Sequence, residues 1–208
     1  MIRSTTVSVT IAESGRKCFY APTIDAALGL ASELENPLLI GEVGGNMPYA
    51  FDLTNSPAEI ERIEELVRPA IIVSTSGTPL MYALRNWHSA YVACLRNYTA
   101  TTNRIVQRHN HVLIASAPTR GEFREEDQLC SAWIGKGLMK AGYSPEDHIT
   151  AKIVDKWANA SVEVCSQGKS AEYLRRTHQL KDLNYILTHV DDVNALFAIK
   201  YNEIVKIS

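Results

Sequence analysis

Ala70-Ile71-Ile72-Val73-Ser74-Thr75-Ser76-Gly77-Thr78-Pro79 carries the reading that decides the fold. Its opening residues are all apolar, with the length of a strand buried on both faces. Three hydroxyls and a glycine follow, a loop in which Gly77 lets the backbone turn toward a ligand. Pro79 then suits the first residue of a helix, where its missing N–H is not needed. The stretch reads as strand, hydroxyl loop, helix. Its polar part is either a helix cap with surface hydroxyls or a cradle for an oxyanion. No Gly-Lys-Ser or Gly-Lys-Thr follows, so it is not a nucleotide-binding Walker loop.

The same order recurs on both sides of it. Leu38-Leu39-Ile40-Gly41 runs into Glu42 and the glycines of Val43-Gly44-Gly45-Asn46. Tyr91-Val92-Ala93-Cys94-Leu95 runs into Arg96-Asn97, with Asn97 placed to cap the next helix, and Val112-Leu113-Ile114-Ala115 leads to the polar loop Pro118 to Phe123. Between these runs, Thr23 to Glu35 is amphipathic, and after Ser56 the residues Ile60, Ile63 and Val67 recur at helical spacing. This alternation predicts an α/β fold with a largely parallel sheet and functional loops at the carboxyl ends of its strands. Ser144-Pro145-Glu146-Asp147 opens a long helical pattern, and a second spans Ala171 to Gln179, ending near Leu180. Leu196-Phe197-Ala198-Ile199 and Ile204-Val205-Lys206-Ile207 read as a C-terminal hairpin, which makes the sheet mixed.

Bulk properties narrow the function classes. A chain of 208 residues with 46% hydrophobic content can bury one substantial core, so one domain over residues 1–208 is expected. A net charge of −2 and the absence of a basic run argue against nucleic acid as a partner. Cys18, Cys94, Cys130 and Cys165 are dispersed with no CxxC pair, which fits a reducing cytoplasm better than a disulfide framework or a zinc knuckle. No apolar run reaches the length of a membrane span, and the residues after Met1 lack a signal-peptide core, so no membrane partner is expected. The histidines His88, His109, His111, His148, His178 and His189 show no metal-binding spacing on an evident helix.

Two further stretches carry candidate chemistry. In Phe51-Asp52-Leu53-Thr54-Asn55-Ser56-Pro57-Ala58-Glu59, Ser56 reads as an N-cap, Pro57 as the first helical residue and Glu59 as the partner in a capping box. The amides there favour an anion, and Asp52 could hold a cation. Glu125-Glu126-Asp127 places three carboxylates in a first helical turn, where the helix dipole accounts for two and a divalent metal could use one or two. Cys130 one turn on is a small core residue in this reading rather than a nucleophile.

Taken together, Phe51-Asp52-Leu53-Thr54-Asn55-Ser56-Pro57, Ser74-Thr75-Ser76-Gly77-Thr78 and Glu126-Asp127-Gln128-Leu129-Cys130 resemble, in order and approximate spacing, the 2-phosphosulfolactate phosphatase (ComB-like) family. Arg3-Ser4-Thr5-Thr6 is similar to the family's Arg-Ala-Thr-Thr segment, and Thr23-Ile24-Asp25-Ala26-Ala27-Leu28 to the helix that follows it. The resemblance implies a three-layer α/β/α sandwich with a mixed sheet and magnesium-dependent hydrolysis of a phosphate monoester of a small acidic metabolite, a step in coenzyme M synthesis. In that reading Asp52, Glu126 and Asp127 are catalytic. Asp52, Glu42 and Asp127 hold Mg²⁺, and Arg3, Thr5, Thr6, Asn55, Ser56, Thr75, Ser76, Gly77 and Thr78 bind the substrate.

Departures from the family pattern limit what carries over. Val43 stands where the family has an arginine suited to bidentate phosphate binding, Ser76 where it has asparagine, and Ser131-Ala132 replaces Ala-Gly ahead of bulky Trp133. The family also places a strand ending in an aspartate ahead of Arg3, where this sequence has Met1-Ile2. The expectation is that this strand lies upstream of the given start or is lost and compensated, for which a homodimer is one means. A related enzyme of specialised metabolism with a different substrate, and an inactive anion-binding homologue, are the competing functional readings.

Overall fold

The computed structural model describes residues 3–63, 67–106, 108–118 and 121–207, and in it the short apolar runs other than that of Val112 to Ala115 become strands of one mixed sheet. The strands are β1 Cys18–Tyr20, β2 Leu38–Gly41, β3 Ala70–Val73, β4 Tyr91–Val92, β5 Leu196–Lys200 and β6 Glu203–Ile207, in the spatial order β2-β3-β1-β6-β5-β4. β2, β3 and β1 are parallel, with Leu38, Ile40 and Gly41 opposite Ala70, Ile72 and Val73. Every residue of β2 and β3 is buried, as expected of uniformly apolar strands covered on both faces. The expected hairpin is β5 and β6. It enters between β1 and β4 and makes the remaining three ladders antiparallel, so the parallel part is narrower than the apolar runs suggest.

Contacts divide the chain into two compact units. The first runs from Arg3 to Ala93, resumes at Ala195 and contains the whole sheet. Its helices are α1 Ser4–Glu13, α2 Ile24–Ala31, α3 Pro57–Ile60 and α4 Gly77–Leu84. α2 covers one face, where Ala27 packs with Leu39, Phe51, Ile71 and Val73. On the other face Cys18 Sγ meets Ser8 O of α1 and Tyr20 Oη meets Met81 O of α4. Helices on both sides of a sheet give three layers, the architecture that leaves strand ends open for a site. α2 starts where expected, its Thr23 side chain accepting from the Ala26 N–H at 3.1 Å.

The second unit, Cys94–Asn194, is helical. It comprises α5 Tyr98–Val106, α6 Glu125–Lys140, α7 His148–Trp157, a short 3-10 helix Val162–Ser166, α8 Lys169–Arg176 and α9 Leu180–Thr188, with α5, α7 and the 3-10 helix packed on α6. Asp147 caps α7 on the Thr150 N–H, so the helix expected to open at Ser144-Pro145 begins at His148.

Several expected boundaries move. Val112–Ala115 has no strand pairing and Leu113 is 69% exposed, because an apolar run becomes a strand only beside a partner and none is offered there among the described residues. The run from Tyr91 pairs only through Val92. α3 stops at Ile60 and Val67 is exposed, so the helical spacing through Ile63 does not extend the helix in the described residues. Leu180 begins α9 rather than ending α8, with His178 at φ 59 breaking the chain between them. Thr119 and Arg120 of the polar loop lie outside the described residues. Among those described, no helix is long and apolar enough to cross a membrane.

Candidate functional site

The register of β2 and β3 sets Gly41 opposite Val73, so the loops leaving both strands start side by side. Gly41 is required there: a Cβ would stand 2.2 Å from the carbonyl oxygen of Val73. Glu42 immediately crosses to the neighbouring loop. Its Oε1 accepts the Thr75 N–H at 2.9 Å, and its Oε2 accepts the Thr75 hydroxyl at 2.8 Å and the Gly45 N–H at 2.7 Å. Thr75 Oγ1 in turn accepts the Gly44 N–H at 2.8 Å. Val43 and Asn46 close the loop between them by exchanging backbone hydrogen bonds, with Gly44 and Gly45 at positive φ.

The hydroxyl loop ends in a reciprocal pair. Ser74 Oγ accepts the Thr78 N–H at 3.0 Å and Thr78 Oγ1 accepts the Ser74 N–H at 2.9 Å. Thr78 is fully buried and its hydroxyl serves the turn. Ser76 is the N-cap of α4 without a side-chain cap bond, and neither Ser76 nor Gly77 gives its N–H to an acceptor among the described residues.

Two helix starts, those of α1 and α4, meet at this end of the sheet. α1 packs against both α3 and α4. The approach of α1 to α4 is so close that a Cβ on Gly77 would lie 2.0 Å from Ser4 Oγ. Arg3, Thr5 and Thr6 therefore stand at the start of α1 beside the Ser76-Gly77 turn. Ser56 caps α3 by accepting the Glu59 N–H at 3.2 Å, as the sequence predicts, while the Glu59 carboxylate takes the Thr54 hydroxyl at 3.0 Å. Asn55, just ahead, is 2% exposed, and its Oδ1 is buried without a hydrogen-bond partner. An unpaired buried acceptor is costly, about 1–3 kcal/mol, and calls for a donor. Ser4 is the neighbour that the sequence reading did not select, although it lies within the quoted Arg3 to Thr6 segment.

Asp52 is placed differently. Its Oδ2 accepts the Leu39 N–H at 2.8 Å, its own N–H goes to Leu39 O, and Arg68 approaches to 3.7 Å. Arg68 also holds the carbonyls of Asn36 and Pro37 at the entry to β2. Leu39 is three residues before Glu42, roughly 10 Å along an extended strand. Asp52 and Glu42, grouped as metal ligands in the sequence, bond different levels of β2. From Asp52 the chain continues as Leu53, bridged to Ile40, and so carries Asn55 and Ser56 along the sheet edge.

In the second unit, Glu126 and Asp127 in the first turn of α6 are 3% and 2% exposed. Glu126 Oε1 accepts the Ser170 hydroxyl at 2.6 Å, and its Oε2 is buried with no partner. Burial, and then the charge of Asp127, push the Glu126 carboxyl above the usual carboxylate range against the pull of Ser170. These are not solvated partners of a helix dipole. Ser170 lies far downstream in the sequence, and no local signal announces it. Cys130 and Cys165 are buried nearby. Burial raises both thiols, Cys165 to about 12, with the Glu126 charge adding to its rise, so neither is a thiolate nucleophile at neutral pH.

Among the described residues no group of three or more His, Cys, Asp and Glu is gathered around one point. The second unit also carries a groove of about 520 Å³ bordered by Tyr98, Trp133, Lys136 and Lys140. No sequence-predicted site residue borders it.

A family model described as 2-phosphosulpholactate phosphatase matches residues 1–200. Among similar proteins bearing the name "Probable 2-phosphosulfolactate phosphatase", that of Pseudothermotoga lettingae is 31% identical over 134 residues, covering 64% of this chain and 58% of its own length. That of Clostridium acetobutylicum is 29% identical, covering 67% and 60%. That of Clostridium perfringens strain 13 is 26% identical over 211 residues, covering 98% and 85%. The chain thus spans under two thirds of the first two relatives and most of the third. With nearly its whole length matched, the chain belongs to the 2-phosphosulpholactate phosphatase family.

Proposed function

We propose that the chain is a phosphoric monoester hydrolase acting on 2-phosphosulfolactate or a close acidic analogue, with Mg²⁺ as cofactor. The observation that carries this reading is the meeting of the α1 and α4 starts at the carboxyl end of β3. Helix starts present N–H donors and positive dipole ends, which suit phosphoryl oxygens and the charge that grows on them during transfer. In this reading the N–H groups of Ser76 and Gly77, the guanidinium of Arg3, and Thr5 and Thr6 grip the phosphoryl group. The unpaired Oδ1 of Asn55 accepts a hydrogen bond from a hydroxyl or a protonated oxygen. Asp52 acts through position, since its bond to Leu39 sets the segment that delivers Asn55 and Ser56.

For the metal, the two clusters differ in fit. Glu42 already has three N–H or O–H donors on its carboxylate and is a poor ligand. Glu126 and Asp127 fit a hard cation: they are buried carboxylates that repel each other, and one Glu126 oxygen has no partner. Mg²⁺ is commonly held by one or two carboxylates with water and substrate oxygens completing its shell. A bound Mg²⁺ would supply Lewis-acid charge at these two carboxylates. Hydrolysis adds water across the P–O ester bond, leaving inorganic phosphate and the free hydroxy acid.

The test is phosphate release by purified protein from 2-phosphosulfolactate and a panel of other phosphate monoesters, with Mg²⁺ and with EDTA. Mg²⁺-dependent release with preference for acidic substrates is expected. A folded protein that binds phosphate but releases none from any ester would instead be an anion-binding relative without turnover.

A further inference from the structure

We infer that Glu42 is a positioning residue that latches the loop after β2 to the loop after β3, and that Thr75 is the other half of the latch rather than a donor to substrate. The inference rests on the phosphatase reading for its kinetic consequences, but the latch is visible without it. A carboxylate has about four lone-pair positions. Three of Glu42's are taken, by the Thr75 N–H, the Thr75 hydroxyl and the Gly45 N–H, all within 2.7–2.9 Å. A metal would have to displace these donors, and each is a charge-assisted hydrogen bond, stronger than a neutral one.

Thr75 is committed in the same way. A hydroxyl has one proton, and this one lies on Glu42 Oε2, while Gly44 N–H occupies a lone pair of Thr75 Oγ1. The side chain that sequence reading assigns to phosphate therefore has no proton left for it. Among the donors that remain in this loop are the N–H groups of Ser76 and Gly77, whose backbone the Thr75 N–H bond to Glu42 holds in register. The latch also fixes the glycine turn of Val43 to Asn46, since both Gly44 and Gly45 donate into it. Glu42 and Thr75 thus act as one unit that orders the cradle without touching the anion.

Two measurements separate this role from metal ligation. The first needs no turnover: amide hydrogen exchange at Gly44 and Gly45 should speed by about tenfold in both Glu42→Gln and Thr75→Val and stay near wild type in Thr75→Ser, which keeps the hydroxyl. Unchanged exchange in Glu42→Gln would show that no latch exists, whatever the activity. The second is kinetic. Glu42→Gln and Thr75→Val should each raise KM about tenfold with the Mg²⁺ half-saturation within about twofold of wild type. Their double variant should be no more than about twofold worse than either, because one unit is broken once. A tenfold or larger rise in Mg²⁺ half-saturation in Glu42→Gln makes Glu42 a ligand and overturns the proposal, as would penalties that multiply. Wild type without turnover would sink the phosphatase reading while leaving the exchange result to decide the latch.

Discussion

Gly77 has no space for a methyl group. A Cβ there would meet Ser4 Oγ at 2.0 Å and Ser4 Cβ at 2.9 Å, and Ser4 is itself buried at the start of α1. Gly77→Ala should therefore cost about 1–3 kcal/mol in urea unfolding, the range for overpacking a filled site. Adding Ser4→Gly should recover much of that loss, whereas an equal loss in the double variant would mean the two helix starts are not in contact. Single residues were unevenly legible in the sequence. Ser56 declared itself because Pro57 and Glu59 follow at fixed offsets, and the cap is present. Asp52 could not be read, because its bond to Leu39 depends on a bridge between segments that no local spacing encodes.

At the scale of elements, α1 shows why local pattern can fail. Its sequence Ser-Thr-Thr-Val-Ser-Val-Thr-Ile-Ala-Glu is rich in β-branched residues, which favour strands. Burial nearly all round and hydroxyl bonds back to the preceding turn, Ser8 to Ser4 O and Thr10 to Thr6 O, accompany the helix instead. Tertiary packing overrides propensity, so the helix beside the candidate site was the one least readable. β2 and β3 were readable because uniform apolarity over the length of a strand leaves few alternatives, and the terminal hairpin because its two apolar-rich runs sit close together. Their pairing makes a prediction. Gly41→Ala would bring a Cβ to 2.2 Å from Val73 O, a backbone atom that cannot swing away. The variant should lose about 2–4 kcal/mol, read by chemical denaturation, since the clash strains the ladder itself. A loss below about 0.5 kcal/mol would contradict the β2–β3 register.

For the whole molecule, burial of Glu126 ties stability to pH. Its carboxyl is raised by burial and by Asp127, so the folded state keeps a proton that the unfolded chain has released. The contribution of Glu126 to the stability of the metal-free protein is therefore fullest below the ordinary glutamate range and is lost as pH rises through the raised value. Glu126→Gln, which cannot ionise, should raise Tm in EDTA at pH about 8, with the gain shrinking as the pH falls to about 4. A gain that does not change with pH would place the effect elsewhere. The order of motifs along the chain made the family legible, while the division into two compact units left no compositional trace at Ala93 or Asn194. The central claim, that the α1 and α4 starts of the first unit form an oxyanion cradle, is tested most directly by titrating ¹⁵N-labelled protein with inorganic phosphate and following its amide resonances. Saturable shifts should centre on Ser76, Gly77, Thr5 and Thr6, with Asn55 and Ser56 following. Saturable shifts confined to residues 94–194, with Ser76 and Gly77 unmoved, would contradict the account.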